Sequence, residues 1–270
     1  MKIRGYLAFA IICLAFPFFD LFQRTVVALY VRIRPSRRLP MLTWWIQSMR
    51  AFCIGSFSTV GGARLSAPRP VVRSGPATLI VMNHQSLMDI PLVVGTVRDG
   101  YPRVVTRRRY SRFIPLISHM VRLYQYPTVD PHAKADKVRE TLDSLSQAAR
   151  DSEVPIAIFP EGTRSRNGEI GRFRTRGLAA LLAERNWTVH VFVTDGLWQM
   201  AKFKNFFGGM AHIRGSSAYL GSVEWSTPGL DPAAFIDGIR NRMVDGLQAL
   251  REGRDLSGGP QDAEGGTLLD

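Results

Sequence analysis

The sequence predicts an α/β protein with a mixed, largely parallel sheet flanked by helices, and with an N-terminal membrane-associated helical segment. Two short apolar runs, 79–82 and 156–159, indicate strands, because each is partly β-branched and bounded by turn-forming residues. A helical stretch separates them, so the two strands are expected to lie parallel. A polar cluster follows each run, and parallel strands would bring both clusters to one edge of the sheet.

The first cluster contains a histidine and a carboxylate at a spacing that suits proton transfer. Asn83 and His84 follow the first strand, and Asp89 comes five residues after the histidine. If 85–89 begins a helix, Asp89 lies a little over one turn beyond His84, within reach of its ring. A carboxylate bonded to one ring nitrogen leaves the other nitrogen to accept a proton. The pair predicts a general base, although a structural histidine is the alternative for so short a motif.

The second cluster is a turn that carries an arginine and a glutamate. Pro160 and Gly162 predict an unusual backbone turn whose N–H groups point into the cleft. The guanidinium of Arg164 has the fork that suits a phosphate group. Glu161 either pairs with a basic side chain or bonds a substrate hydroxyl. A simple turn with a surface ion pair is the alternative for this stretch taken alone.

Together the two blocks resemble the motifs of the lysophosphatidic acid acyltransferase family, the 1-acyl-sn-glycerol-3-phosphate acyltransferases and their relatives. The first block is Asn83-His84 with Asp89, and the second is Phe159-Pro160-Glu161-Gly162-Thr163-Arg164-Ser165. Their order and spacing also match, and the likeness covers roughly residues 75–225. Further matching positions are Arg107-Arg108, Ile114-Pro115-Leu116, Gly168-Glu169, Phe173-Arg174 and Gly177.

The resemblance implies a membrane-associated O-acyltransferase. It would move a fatty acyl group from acyl-CoA or acyl carrier protein to the free hydroxyl of a lysophospholipid. The first candidate for this acceptor is lysophosphatidic acid, which would become phosphatidic acid. His84 would be the catalytic base and Asp89 its partner, with the acyl thioester as co-substrate and no metal or cofactor. The residues implied in substrate binding are Asn83, Glu161, Gly162, Thr163, Arg164 and Ser165.

Two departures from the family pattern leave other acceptors open. The stretch 128–132 lacks the arginine usual in relatives, and 191–195 lacks their Val-Pro block. The alternatives are the same chemistry on a lyso-ornithine lipid, glycerol 3-phosphate or another lysolipid, and a catalytically inactive membrane-binding relative. A thioesterase or lipase is disfavoured, since water as the acceptor would leave Arg164 without a purpose.

The charge distribution indicates an anionic membrane surface. The net charge is +13, and residues 1–73 hold eleven Lys or Arg against one acid, Asp20. A solvated basic surface and a nucleic-acid partner are alternatives. Apolar segments interleaved with the basic ones favour anionic lipids and no nucleic acid. Cys13 and Cys53 show no disulfide framework and no zinc spacing.

The N-terminal segment predicts two membrane-associated helices. Residues 5–19 are apolar throughout, and fifteen helical residues rise about 22 Å, short of a ~30 Å hydrocarbon core. The stretch 5–31 could cross the bilayer if the helix is tilted. The sequence therefore leaves open whether this helix spans the bilayer or inserts only partway into it. In 39–60 an apolar face with two adjacent tryptophans favours an interfacial helix over a core helix. That face consists of Leu42, Trp45, Ile46, Met49, Phe52 and Cys53.

We therefore expect N-terminal membrane-associated helices in 1–65, an acyltransferase domain in 66–252 and a disordered tail in 253–270. Because acyl donors are cytosolic, the site is expected on the cytoplasmic face of a membrane, the inner membrane in a bacterium. Further strands are expected at 103–105, 124–130, 187–193 and 208–224. Four further helices are expected. One begins at 113, one covers 133–150, one ends at 182 and one covers 232–251.

Overall fold

The structure, a computed structural model, describes residues 2–130, 135–202, 210–226, 230–254 and 256. In these ranges six strands form one sheet and two short strands form a separate pair. The strands are β1 Arg64–Leu65, β2 Thr78–Met82, β3 Arg103–Val104, β4 Thr106–Arg107, β5 Thr128–Val129, β6 Ile156–Ile158, β7 Trp187–Asp195 and β8 Arg214–Trp225.

The sheet has the order β1-β8-β7-β2-β6-β3, and only the β7–β8 pair is antiparallel. This confirms the predicted mixed, largely parallel sheet. Strands β2 and β6 are direct neighbours, with Leu79 beside Ile156 and Val81 beside Ile158. The segments that follow these two strands therefore leave the sheet at the same edge.

Helices cover both faces of the sheet. Leu79 and Val81 of β2 pack with α6, α7 and α8, whereas Ile80 and Met82 face α1, α3, α4 and α5, as strand alternation requires. The helices are α1 Lys2–Phe22, α2 Ala28–Ile33, α3 Arg38–Gly55, α4 Asp89–Val94, α5 Ile117–Leu123, α6 Ala135–Asp151, α7 Thr175–Leu182 and α8 Ala233–Arg251.

The N-terminal helices lie along the rest of the protein. A π-helical turn at Gln23–Val27 joins α1 to α2, and residues 3–33 are long and apolar enough to cross a membrane, which by itself is weak evidence that they do. Near one end of α1, the Arg4 guanidinium donates to the carbonyl of Val60 at 2.9 Å. Just past the other end, the Gln23 amide donates to the carbonyl of Leu116 at 3.3 Å. The helix is thus bonded to the protein at both ends and exposes one apolar side.

The apolar face of α3 packs inside the protein, so the expectation of an interfacial helix is wrong for this face. Leu42, Trp45, Ile46 and Met49 are buried in the cluster that contains the apolar residues of α1 and α4. The Trp45 indole donates to the side-chain oxygen of Gln23 at 2.8 Å. The apolar face of α3 has the residue spacing of an interfacial helix, but α1 packs against it.

Several predicted boundaries differ from the structure for local reasons. The helix expected at 85–89 begins at Asp89, and the one expected from 113 begins at Ile117. Positive φ values at Phe113 and Leu116 prevent a helix there. The closing strands expected in 208–224 correspond to one strand, β8. Of the strand expected at 124–130, only β5 is present. Both cysteines are free. The predicted disordered tail falls outside the described residues, except 253, 254 and 256.

His190 of β7 gives a prediction for the pH dependence of stability. Its Nδ1 lies 2.9 Å from the hydroxyl oxygen of Tyr219, and burial lowers the pKa of His190 below 6.5, with Glu224 only partly opposing the shift. The folded state then binds the proton less tightly than the unfolded chain. The free energy of unfolding should therefore fall as the pH drops from ~7 to ~5.

Replacing His190 with glutamine should flatten that pH dependence, because glutamine does not titrate in this range. Urea unfolding at several pH values measures the slope. His212→Gln, the same change at an exposed histidine, is the matched control. An unchanged slope in His190→Gln would contradict the assignment of the effect to this residue.

Candidate active site

His84 and Asp89 form a hydrogen-bonded pair at the carboxyl edge of the sheet. His84 lies two residues beyond β2, and Asp89 is the first residue of α4. The Nδ1 atom of His84 lies 2.8 Å from Oδ2 of Asp89. The same oxygen accepts the backbone N–H groups of Gln85 at 2.5 Å and of Ser86 at 2.8 Å. These bonds curl 85–88 into a turn, which is why the helix begins only at Asp89.

The geometry fixes which ring nitrogen of His84 can accept a proton. Asp89 is fully buried, and its Oδ2 is an acceptor, so we assign the proton of the neutral ring to Nδ1. The ring also stacks on Phe159, with ring centroids 4.5 Å apart and planes inclined by 26°. The side chain is 18% exposed, and no described residue forms a hydrogen bond with Nε2. This nitrogen is free to act as a base.

The second cluster holds the backbone of His84 on both sides. Glu161 is 5% exposed, and its Oε1 accepts the His84 N–H at 2.9 Å. Its Oε2 accepts the Gly171 N–H at 2.9 Å. The Ser165 N–H donates to the carbonyl of His84 at 2.7 Å. The predicted convergence of the two clusters is therefore present in the structure.

The carboxylate of Glu161 is a structural acceptor in this arrangement. Burial raises the pKa of Glu161, and the N–H donors of His84 and Gly171 offset the shift only in part. Both oxygens are occupied by backbone donors, so neither predicted contact, a basic side chain or a substrate hydroxyl, is observed. What the carboxylate does is connect the two motif segments across 77 positions of sequence.

Gly162 permits the close approach of two arginines. Its φ is +65°, and a Cβ atom there would lie 2.8 Å from Cδ of Arg174. The Gly162 carbonyl accepts a hydrogen bond from Nη2 of Arg107 at 2.8 Å, and the Arg174 N–H donates to the carbonyl of Pro160 at 2.7 Å. The turn is thus closed from both sides, and a side chain at 162 would be strained at this φ and would displace the Arg174 side chain.

These arginines make a cationic cluster beside the histidine. Burial, and after it the charges of Arg109, Arg174 and Arg164, lower the pKa of Arg107. The Nη1 atom of Arg164 is buried without a hydrogen-bond partner among the described residues. Thr163, at the outer end of the turn, is exposed. A cluster of guanidinium groups that includes Nη1 of Arg164, unpartnered in the part of the chain that the structure describes, suits an anionic ligand.

Asn83 and Ser165 serve the framework of the site. The side-chain amide of buried Asn83 donates to the carbonyl of Thr194 at 2.9 Å and accepts the Thr194 N–H at 2.7 Å. The Ser165 hydroxyl lies 3.1 Å from the side-chain oxygen of Asn167 and accepts the Gly168 N–H at 3.1 Å. Both residues are expected to bind substrate, and in the structure their side chains hold β2 and the second cluster in place.

Gln85 is a site residue that the sequence analysis missed. It is fully buried, and its side-chain NH₂ donates to the carbonyl of Gly168 at 3.2 Å and to Oδ1 of Asp195 at 3.3 Å. Its side-chain oxygen accepts the Leu197 N–H at 3.0 Å. The partners lie 83 to 112 positions away along the chain, so no local pattern could indicate them.

Arg251, at the end of α8, clamps the same region from outside. Its Nε lies 3.0 Å from Oδ2 of Asp195, its Nη1 lies 2.7 Å from Oε1 of Glu169, and its Nη2 lies 3.0 Å from the carbonyl oxygen of Gly168. Burial alone would raise the pKa of Asp195, but hydrogen bonds, first of all from Arg251, outweigh it and lower that pKa. The final helix is thereby tied to the loop beside His84.

Removing the hydrogen bonds of the Arg251 side chain should lower the stability of the protein without removing any residue of the His84–Asp89 pair. We expect Arg251→Met to destabilise the protein by about 1–2 kcal/mol, less than a buried charge-assisted network would lose, because the arginine side chain is 35% exposed. Thermal unfolding measures the change. Arg254→Met, which breaks only the exposed pair with Glu252, is the control, and equal effects of the two changes would contradict a role for the clamp.

The described residues contain no group of three or more His, Cys, Asp or Glu side chains arranged to hold a metal ion. In this part of the chain the structure places an oriented imidazole near a turn that carries arginines. An imidazole with a free Nε2 can take a proton from a hydroxyl group, and guanidinium groups can hold a phosphate next to it.

Comparison with known proteins shows what this chain is similar to. A family model described as Acyltransferase matches residues 65–195. A 1-acyl-sn-glycerol-3-phosphate acyltransferase from Cocos nucifera is 26% identical over 148 residues, which are 54% of this chain and 42% of that protein. An uncharacterized acyltransferase from Schizosaccharomyces pombe is 25% identical over 95 residues, 35% of this chain and 33% of that protein. The matches thus span less than half of either curated relative.

The fold is also that of a solved structure. The crystal structure of the 1-acyl-sn-glycerophosphate (LPA) acyltransferase PlsC from Thermotoga maritima superimposes with a TM-score of 0.72 at 16% identity, covering 93% of this chain and 98% of that one. Residues 65–195 thus match an acyltransferase family model, which together with the curated relative and the solved structure agrees with the resemblance seen in the two motif blocks.

Proposed function

We propose that the protein transfers a fatty acyl group from an acyl thioester, acyl-CoA or acyl carrier protein, to the free hydroxyl of lysophosphatidic acid, giving phosphatidic acid. The observation that carries the proposal is the contact of 2.8 Å between His84 Nδ1 and Asp89 Oδ2. This contact turns Nε2 into the available base at the cationic turn. The family of the domain supports acyl transfer as the reaction.

In the proposed step the acceptor hydroxyl attacks the thioester carbonyl while Nε2 of His84 takes its proton. A C–O bond forms, and the carbonyl oxygen becomes an oxyanion that backbone N–H groups at the strand ends stabilise. The C–S bond then breaks, and the imidazolium returns the proton to the departing thiolate. Asp89 holds the ring and stabilises the imidazolium. No serine or cysteine acyl-enzyme and no metal is needed for this sequence.

The arginine cluster supports a phosphate-bearing acceptor. Arg164 has a buried guanidinium nitrogen without a partner among the described residues, and the charges of Arg164 and Arg174 already act on Arg107. A phosphate in this cluster would offset the mutual repulsion of the guanidinium groups. Held there, the acceptor would present its hydroxyl to His84, since the segments that carry His84 and Arg164 are hydrogen-bonded to each other.

We further propose that the protein works at an anionic membrane with its site on the cytoplasmic face. The exposed apolar side of α1 is the supporting observation, with Leu14 70% and Phe18 73% exposed. A lysophospholipid acceptor resides in such a membrane, whereas acyl-CoA and acyl carrier protein reach it from the cytosol. The bonds of α1 to the protein at both ends favour a helix that lies in one leaflet.

A thioester-release assay separates this proposal from its rivals. Purified protein in vesicles is given acyl-CoA or acyl carrier protein, and thiol release is followed with and without lysophosphatidic acid. Release that depends on lysophosphatidic acid supports the proposal. Release without an acceptor indicates a hydrolase, and no release with any acceptor indicates an inactive membrane-binding relative. Release that needs a lyso-ornithine lipid, glycerol 3-phosphate or another lysolipid keeps the chemistry and changes the acceptor.

A further inference from the structure

Phe113 lies at the tip of a loop and projects into solvent. It is 97% exposed, more than any of the other large apolar side chains in the described residues, and its φ of +63° is rare for a bulky side chain. Leu116, three residues on, also has a positive φ, of +64°, yet it is buried. A backbone held in an unfavourable region at two bulky residues needs surroundings that enforce it.

The surroundings of Phe113 do enforce this shape. The Ile114 N–H donates to the hydroxyl of Ser118 at 2.8 Å, and the Ser118 N–H donates to the carbonyl of Ile114 at 2.9 Å. On the other side, Nη1 of Arg122 donates to the carbonyl of Ser111 at 2.8 Å. The loop is thus fastened on both sides of its tip, so the backbone directs the phenyl side chain outward.

Arginines surround the tip. Residues 103–122 contain six arginines and no acid, and Arg108, Arg109 and Arg112 lie within the five positions before the phenylalanine. Arg108 is paired with Glu140 at 2.6 Å. An aromatic ring among arginines matches the boundary of an anionic bilayer, where the ring lies among the upper acyl chains and the guanidinium groups meet phosphates. A second copy of this chain, itself at +13, would meet this surface with like charge.

The loop also connects the candidate active site with the N-terminal helix. Arg107 at its start is bonded to the carbonyl of Gly162 in the catalytic turn. Leu116 at its end accepts a hydrogen bond from Gln23, just past α1. The tip therefore lies, along the chain, between a residue bonded to the candidate site and a residue bonded to the N-terminal helical segment.

From these observations we propose that Phe113 inserts into the surface of an anionic membrane leaflet and forms a second membrane contact, separate from the N-terminal helix. The proposal rests on the membrane association put forward under the proposed function. The contact would hold the crevice of His84 and Arg164 against the leaflet, so that a lysolipid could enter it without leaving the membrane.

Tryptophan fluorescence tests the insertion directly. Full-length Phe113→Trp is reconstituted into vesicles of phosphatidylglycerol and phosphatidylcholine, with and without bromine on the acyl chains, and the emission of the parent chain with its five tryptophans is subtracted. We expect the added emission to be largely lost with brominated chains and to resist iodide in the buffer. Val244→Trp is the control, because Val244 is 38% exposed on α8, on the other side of the sheet. Its added emission should be quenched by iodide and not by brominated chains.

Added emission from position 113 that iodide quenches and brominated lipid does not would overturn the proposal. Emission that changes with protein density rather than with lipid would point to a second copy and overturn it too. Equal quenching in pure phosphatidylcholine vesicles would refute the anionic partner.

Turnover supplies a second test with Phe113→Ser. The rate should fall on acceptor in vesicles and stay unchanged on acceptor in detergent micelles, and an equal fall in both would overturn the proposal. The fluorescence result holds even for a protein without acyltransferase activity, so failure of the proposed function is distinguishable from failure of this inference.

Discussion

Replacing His84 with alanine is expected to lower acyl transfer by about 10²- to 10⁴-fold, the range that a positioned general base contributes. The change removes Nε2, the atom proposed to take the hydroxyl proton, and leaves the binding surfaces in place. The rate of thiol release from acyl-CoA in the presence of lysophosphatidic acid measures the loss. Membrane binding, followed by flotation with vesicles, should be unaltered.

The control for this experiment is His212→Ala, which removes an exposed imidazole in the 3₁₀ turn Met210–His212. It should transfer acyl groups at the parent rate. Circular dichroism and thermal unfolding of His84→Ala establish that the variant is folded. Substantial turnover by folded His84→Ala would show that another group accepts the proton.

Changing Glu161 to glutamine should also nearly abolish turnover, for a different reason. Each carboxylate oxygen accepts one backbone N–H, from His84 and from Gly171, both at 2.9 Å. An amide offers one oxygen, so its NH₂ group must face the other donor. A buried donor left unsatisfied costs about 1–3 kcal/mol, and the loss should appear in the free energy of unfolding as well as in kcat.

Glu184→Gln is the matched control for this change, because it alters a carboxylate paired with Arg150 at the surface, away from the crevice. It should leave both unfolding and turnover close to those of the parent. If Glu161→Gln retained parental kcat while losing stability, the carboxylate would support the fold without positioning His84.

The central features of the site could be predicted because they depend on local signals. A buried apolar run ending in Asn83-His84, with Asp89 five residues on, indicates both the strand and the pair. Parallel strand topology then brings the second cluster to the same edge. The framework of the site could not be predicted in this way. Glu161 binds backbone N–H groups, which every residue except proline carries, so no residue type in the sequence marks them.

Long-range packing explains the other differences. The face of α3 has the spacing of an interfacial helix, and only the position of α1 shows that it is buried. The contacts of Gln85 and Arg251 join segments 56 to 112 positions apart. Asn83, adjacent to the histidine, was expected to bind substrate, but its amide joins β2 to β7 through Thr194. The position of Asn83 next to the predicted base did not reveal that its side chain joins two strands.

The most direct test asks whether the arginine turn and the imidazole act on the same acceptor. The measurement is kcat/KM for lysophosphatidic acid and for a monoacylglycerol, which has the same hydroxyl and no phosphate, in the parent protein and in Arg164→Met. Hydrogen bonds to a charged group contribute about 1.5–3 kcal/mol, or a preference of about 10- to 150-fold. We predict that the parent prefers the phosphate-bearing acceptor by at least this margin and that Arg164→Met loses most of the preference. An undiminished preference in Arg164→Met would contradict the account.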